Sequence, residues 1–145
     1  MARSSVSESF ALSSVLVLVL ACGAEPSPDA NECASLAPHV TAGTVPTFSW
    51  APAHCAVSLL TVAHDAGGTQ VVDWLVEGHG NSIEPTVDYG TRPPGATPVC
   101  ELYCPFLPPA PLQTGQSYRL RLTEERIDQH GDFFVGEVGA VDFQP

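Results

Sequence analysis

Lysine is missing from this 145-residue chain: its five basic residues are all arginine, at positions 3, 92, 119, 121 and 126, against sixteen aspartates and glutamates. The net charge of −11 repels phosphate backbones and anionic headgroups, which argues against nucleic-acid binding and polybasic docking on a membrane. The carboxylates are scattered, as in an acidic domain kept soluble by its charge, and do not cluster into a cation site. Extended helical pattern is lacking too. From Cys33 onward proline and glycine interrupt every window, and the apolar period is two rather than 3.6.

The usual signatures of catalysis are also absent. There is no Gly-x-Ser-x-Gly elbow and no glycine-rich phosphate loop leading into a helix. The five histidines (His39, His54, His64, His79 and His130) stand singly, without the paired spacing that puts two imidazoles on one metal. His64-Asp65 and the stretch from Asp128 to Asp132 offer acid–base partners only if the fold brings them together. No catalytic residue, resident metal or cofactor is therefore expected. What remains is a hydrophobic fraction of 44%, too high for a disordered chain and enough for one packed domain.

The N-terminus carries the most specific signal. Arg3 precedes the apolar run Val15-Leu16-Val17-Leu18-Val19-Leu20-Ala21, which is too short to span a bilayer and leads into polar, proline-containing sequence. Its end, Val19-Leu20-Ala21-Cys22, resembles the lipobox of bacterial lipoproteins. That resemblance implies a signal peptide over residues 1–21, cleavage before Cys22, a diacylglyceryl thioether on its sulfur and an acylated (palmitate-type) amine. The competing expectation is ordinary signal-peptidase cleavage after Ala24, with Cys22 discarded. Several acyl chains hold a protein where one lets it dissociate. The implied location is the cell envelope, anchored at the outer membrane on its periplasmic face or surface. Residues 22–32 contain nothing to bury and read as a tether with a flexible reach of roughly 17–20 Å.

Cys33, Cys55, Cys100 and Cys104 remain after cleavage, and four cysteines in an exported chain read as two disulfides with three possible pairings. Cys100-Glu101-Leu102-Tyr103-Cys104 is one residue off a Cys-x-x-Cys knuckle and has no nearby histidine, so a disulfide is the better expectation there.

The strands are written in alternation. Tyr118, Leu120 and Leu122 face one way against Arg119 and Arg121, and Phe48 and Trp50 face inward against Thr47 and Ser49. Val72, Trp74 and Val76 form an inward set against Asp73 and Glu77. The Ile83–Tyr89 segment places Ile83, Val87 and Tyr89 inward, and its Pro85 argues for a sheet edge. Val57 to Ala63 is nearly all apolar and suits a central strand. The segment from Phe133 to Phe143 is long and β-rich, but Gly136 and Gly139 predict a bulge or kink. Asp65-Ala66-Gly67-Gly68, Gly78-His79-Gly80-Asn81, Gln113-Thr114-Gly115-Gln116 and residues 128–132 supply turns. About seven such strands predict an all-β, antiparallel two-sheet sandwich over residues 33–145. Trp50 and Trp74 lie on inward parity and are expected in the core, not on a sugar-binding platform.

Phe48-Ser49-Trp50-Ala51-Pro52 and the run from Leu112 to Leu122 resemble the second strand and the turn with sixth strand of fibronectin type III domains, with Tyr118 at the tyrosine corner. The resemblance covers about residues 36–145. It departs in a Pro-rich insertion from Arg92 to Pro111, which carries Cys100 and Cys104. The implied topology places the chain start and the turn after Trp50 at one end of the sandwich, and the insertion at the other. It therefore implies the pairs Cys33–Cys55 and Cys100–Cys104. Such a fold is uninformative about ligand. The expected function is a non-catalytic, membrane-anchored module that contacts an envelope protein or glycan through loops or an edge strand. The competing expectation is a small envelope hydrolase or metal-dependent enzyme built from loop histidine and aspartate residues. Oligomeric state is not legible.

Overall fold

A computed structural model of the chain describes residues 32–97, 109–127 and 130–145. Cys22, Cys100 and Cys104 lie outside them, so the lipidation and the second disulfide are not addressed by it. Among the described residues, a 3-10 turn at Glu32–Ala34 is followed by eight strands: β1 (Ala37–Thr41), β2 (Thr47–Ala51), β3 (Leu59–Asp65), β4 (Gln70–Gly78), β5 (Val87–Asp88), β6 (Ala96–Thr97), β7 (Tyr118–Ile127) and β8 (Phe133–Phe143). They form a three-stranded sheet, β1-β2-β5, and a five-stranded sheet, β6-β4-β3-β7-β8. Every pairing is antiparallel. The expected all-β two-sheet sandwich is therefore the architecture. No helix among the described residues is long and apolar enough to cross a membrane.

The alternation read in the sequence builds the core. Phe48 and Trp50 of the small sheet meet Leu60, Val62, Trp74, Val76, Leu120 and Leu122 of the large one, all buried. Each large apolar side chain buried in this way contributes roughly 1.5–3 kcal/mol. β3 lies between β4 and β7, as its continuous apolar sequence predicts. The Cys33–Cys55 disulfide joins the chain start to the turn after β2, with Cα atoms 5.5 Å apart and Cys55 buried. Trp50 Nε1 donates to the Cys55 carbonyl at 2.6 Å, which ties the same turn to the core.

Two bulges displace residues from their alternating positions. In β8, Leu122 pairs with Gly139 and Thr123 with Glu137, so Val138 is the extra residue. Its carbonyl accepts the Leu36 N–H at 2.7 Å. That approach requires Gly139, because a Cβ there would stand 2.9 Å from the Leu36 carbonyl oxygen. In β4, Trp74 pairs with Val62 but Val72 with Ala63, leaving Asp73 as the extra residue. The inward assignment of Val72 is thereby corrected: it is 54% exposed. Asp73, expected outward, turns in beside His64.

Two further expectations are revised. The Ile83–Tyr89 segment buries Ile83, Val87 and Tyr89 as expected. However, only Val87–Asp88 is strand, at the edge of the small sheet, while Ile83 makes an isolated bridge to Val57. The insertion does not stay at the far end of the sandwich. Ala96 and Thr97 pair with Gly78 and Glu77, and the Gly78 N–H donates to Ser58 at the start of β3. The Arg92 guanidinium holds this excursion by two bonds to the Ala96 carbonyl, at 2.8 and 3.0 Å.

Candidate functional site

The β4 bulge creates a polar cluster at one end of the sandwich. His64 ends the inward row of β3, and the extra residue Asp73 brings its Oδ2 to 2.7 Å from His64 Nδ1. Their side chains are 24% and 14% exposed. The Tyr118 ring meets the imidazole edge-on with centroids 5.9 Å apart, and Tyr89 packs against Trp74 at 5.1 Å. Burial, then the charges of Asp73 and Tyr118, push the Tyr89 phenol up to about 12.

A histidine held by a carboxylate is the base-and-orienter part of a hydrolytic triad. Here both neighbouring phenols are tied to the backbone. Tyr89 Oη donates to the Ala110 carbonyl at 2.9 Å, and Tyr118 Oη accepts the Gln113 N–H at 2.8 Å. The cluster fastens the segment before β7 to the sheet end and presents neither hydroxyl as a free nucleophile. The sequence pair His64-Asp65 does not act together: Asp65 Oδ1 accepts the Gly68 N–H in the turn after β3.

Ligand atoms of Cys33, His54 and Cys55 lie within 4.8 Å of one another. Both sulfurs are spent in the disulfide, whereas a metal needs them as thiolates. His54 instead approaches Glu32 at 3.4 Å on the surface. Trp50 and Trp74 are 4% and 7% exposed, which places them in the core as expected. The four described arginines are all engaged: Arg92 with Ala96, Arg119 with Asp142, Arg121 with Glu137 and Arg126 with Glu124.

Four of the exposed large apolar side chains among the described residues gather elsewhere. β3 pairs with β7 only as far as Thr123, so Glu124–Ile127 and the start of β8 run on as a two-stranded hairpin. Ile127 is 72% exposed, Phe133 61%, Val135 54% and Phe134 43%. Ile127 is paired with Phe133 and Glu125 with Val135, so these four side chains share the sheet's outer face. Phe134 lies on the other face opposite Arg126, whose guanidinium forks onto the Glu124 carboxylate at 2.9 and 3.0 Å. The β7 side of the hairpin is capped at Glu125: Asn81 donates to its carbonyl and accepts its N–H, at 2.9 and 2.8 Å. The length of this segment is legible in the sequence, and its exposure is not. The available signal was Phe133-Phe134-Val135, an apolar triplet that breaks alternation beside a turn.

Comparisons of the chain with protein-family models, curated proteins and solved structures found no match.

Proposed function

We propose that the chain is the precursor of a lipoprotein of the bacterial outer membrane, anchored through lipid on Cys22, whose fibronectin type III-like domain binds an envelope protein without catalysing a reaction. The Val19-Leu20-Ala21-Cys22 sequence supports the anchor, and the Tyr118–Gln113 bond supports the fibronectin-like reading, because a corner tyrosine bonds back to the chain upstream.

The observation that carries the binding role is the exposed apolar hairpin of β7 and β8. Scattered exposed apolar residues need no explanation, but four together on one projecting element mark a contact surface. A protein is favoured over a glycan because the surface is apolar and offers no ring of polar donors. The hydrolase reading has less support, since the His64–Asp73 pair lies among phenols bonded to the backbone.

A photo-crosslinking residue at Phe133 in intact envelopes tests this role, with Thr114 in the turn before β7 as control. Adducts are expected at Phe133 and not at Thr114. Equal yields at the two positions, or none at Phe133, contradict it.

A further inference from the structure

We infer that the hairpin takes its partner by strand addition: an extended segment of another polypeptide, apolar through its centre and basic at its ends, pairs with the outer edge of β8 over Phe133–Glu137. This deepens the proposed binding role and rests on it.

The backbone makes the first part of the case. β8 is the last strand of its sheet, with β7 on one side only. At Val138 and Gly139 the chain start covers its other side, through the bond from Leu36 to the Val138 carbonyl and the approach of Leu36 and Pro38 to Gly139. Among the described residues no backbone bond is made to that side between Phe133 and Glu137. Five residues of open edge span about 17 Å, the length of an ordinary strand. Sheet edges of this kind are normally blunted by charge, proline or cover. Asn81 does so on the β7 side of this hairpin, whereas the β8 side presents Phe133, Phe134 and Val135.

The side chains define the occupant. Phe133 and Val135 would flank an added strand on the outer face. On the inner face Gly136 has no side chain, and a Cβ placed there meets nothing within 4 Å, which leaves room for a bulky partner residue. Such cross-strand cover of a glycine is a known stabilising device. Glu125 and Glu137 stand on the outer face. Among the described residues Arg121 approaches Glu137, at 3.5 Å between two half-exposed groups. An acidic rim on a chain of net charge −11 selects basic flanks. The same charge opposes a second copy of this chain, whose edge would bring its own carboxylates. The chain's tether, residues 23–32, holds two prolines and three acids and fits neither the ladder nor the charge.

The test uses the mature domain and a short synthetic peptide with an apolar β-branched and aromatic core flanked by lysines, read by fluorescence anisotropy. The peptide is expected to bind. N-methylation of alternate core amides removes about two ladder bonds and is expected to weaken binding about tenfold. Replacing the lysines with glutamates is expected to weaken it at least as much, as is Phe133→Ser in a domain shown by circular dichroism to be folded. No binding of the parent peptide, or equal binding of the glutamate version, overturns the inference. Equal binding of the N-methylated peptide overturns strand addition while leaving the hairpin as a contact surface. An unaffected Phe133→Ser variant removes the hairpin reading itself. Self-association through Phe133 in sedimentation equilibrium makes the occupant a second copy and overturns the assigned partner.

Discussion

The Tyr118 hydroxyl accepts a 2.8 Å hydrogen bond from the backbone N–H of Gln113, across the turn at Gly115. Its ring stacks on Phe143 at 5.8 Å, and only 4% of the residue is exposed. One side chain thus joins the entry to β7, the end of β8 and the core. Tyr118→Phe leaves the Gln113 N–H without this acceptor and is expected to cost about 1 kcal/mol. Tyr118→Ala also removes the ring and is expected to cost about 3–5 kcal/mol. Arg119→Ala, on the opposite face, breaks a solvent-exposed pair with Asp142 and is expected to change stability by less than about 0.5 kcal/mol. Denaturant melts of the three variants check the order; equal damage from Arg119→Ala and Tyr118→Ala contradicts the face assignment.

Cys33 and Cys55 are separated by 22 residues, and closing such a loop constrains the unfolded chain by about 3 kcal/mol. The double variant Cys33→Ala, Cys55→Ala is expected to lose about that much stability, measured as a lower denaturant midpoint. Non-reducing peptide mapping of the native domain is expected to return Cys33–Cys55 and Cys100–Cys104 linked peptides. A Cys55–Cys100 peptide contradicts both pairings.

Tyr89 is 7% exposed, and its phenol is raised to about 12 by burial and by the nearby Asp73 charge. The unfolded chain ionises this group near 10. The folded state therefore holds the proton more tightly, and the unfolded state sheds it first as pH rises. Stability contributed by this group is fully present below about pH 10 and is lost progressively up to about pH 12. Stability is expected to fall across that window in the native domain and to fall less in Tyr89→Phe. Identical pH profiles for the two proteins contradict the assignment.

Cys22→Ser is expected to abolish lipid labelling and to leave unprocessed precursor or soluble protein. Membrane retention with normal maturation contradicts the anchor.

Much of the fold was legible because burial on one face of a sheet writes a period of two into the chain. Phe48 and Trp50, and Tyr118, Leu120 and Leu122, were placed inside by that rule alone. The turn glycines at 67, 68, 80, 115 and 131 all adopt positive φ, as their dipeptide contexts suggest. The rule fails where the register slips. One extra residue in β4 turned Asp73 in and Val72 out, and nothing local distinguishes such a bulge from a regular strand carrying polar and apolar residues in turn. That slip hides the His64–Asp73 cluster from the sequence, where the carboxylate next to His64 is that of Asp65. The hairpin was hidden for a different reason. Alternation reports which face a side chain takes, but Phe133, Phe134 and Val135 are apolar on both faces, and the run of β7 and β8 past the first residue of β3, Leu59, is set by another segment.

The central claim is that the open edge of β8 is where a partner binds, and amide hydrogen exchange of the mature domain with and without the lysine-flanked peptide tests it most directly. Slowed exchange is predicted at outward-pointing amides between Phe133 and Glu137, with the Tyr118 and His64 end unchanged. Protection confined to the His64–Asp73 end, or bound peptide with no protection anywhere in β8, contradicts the account.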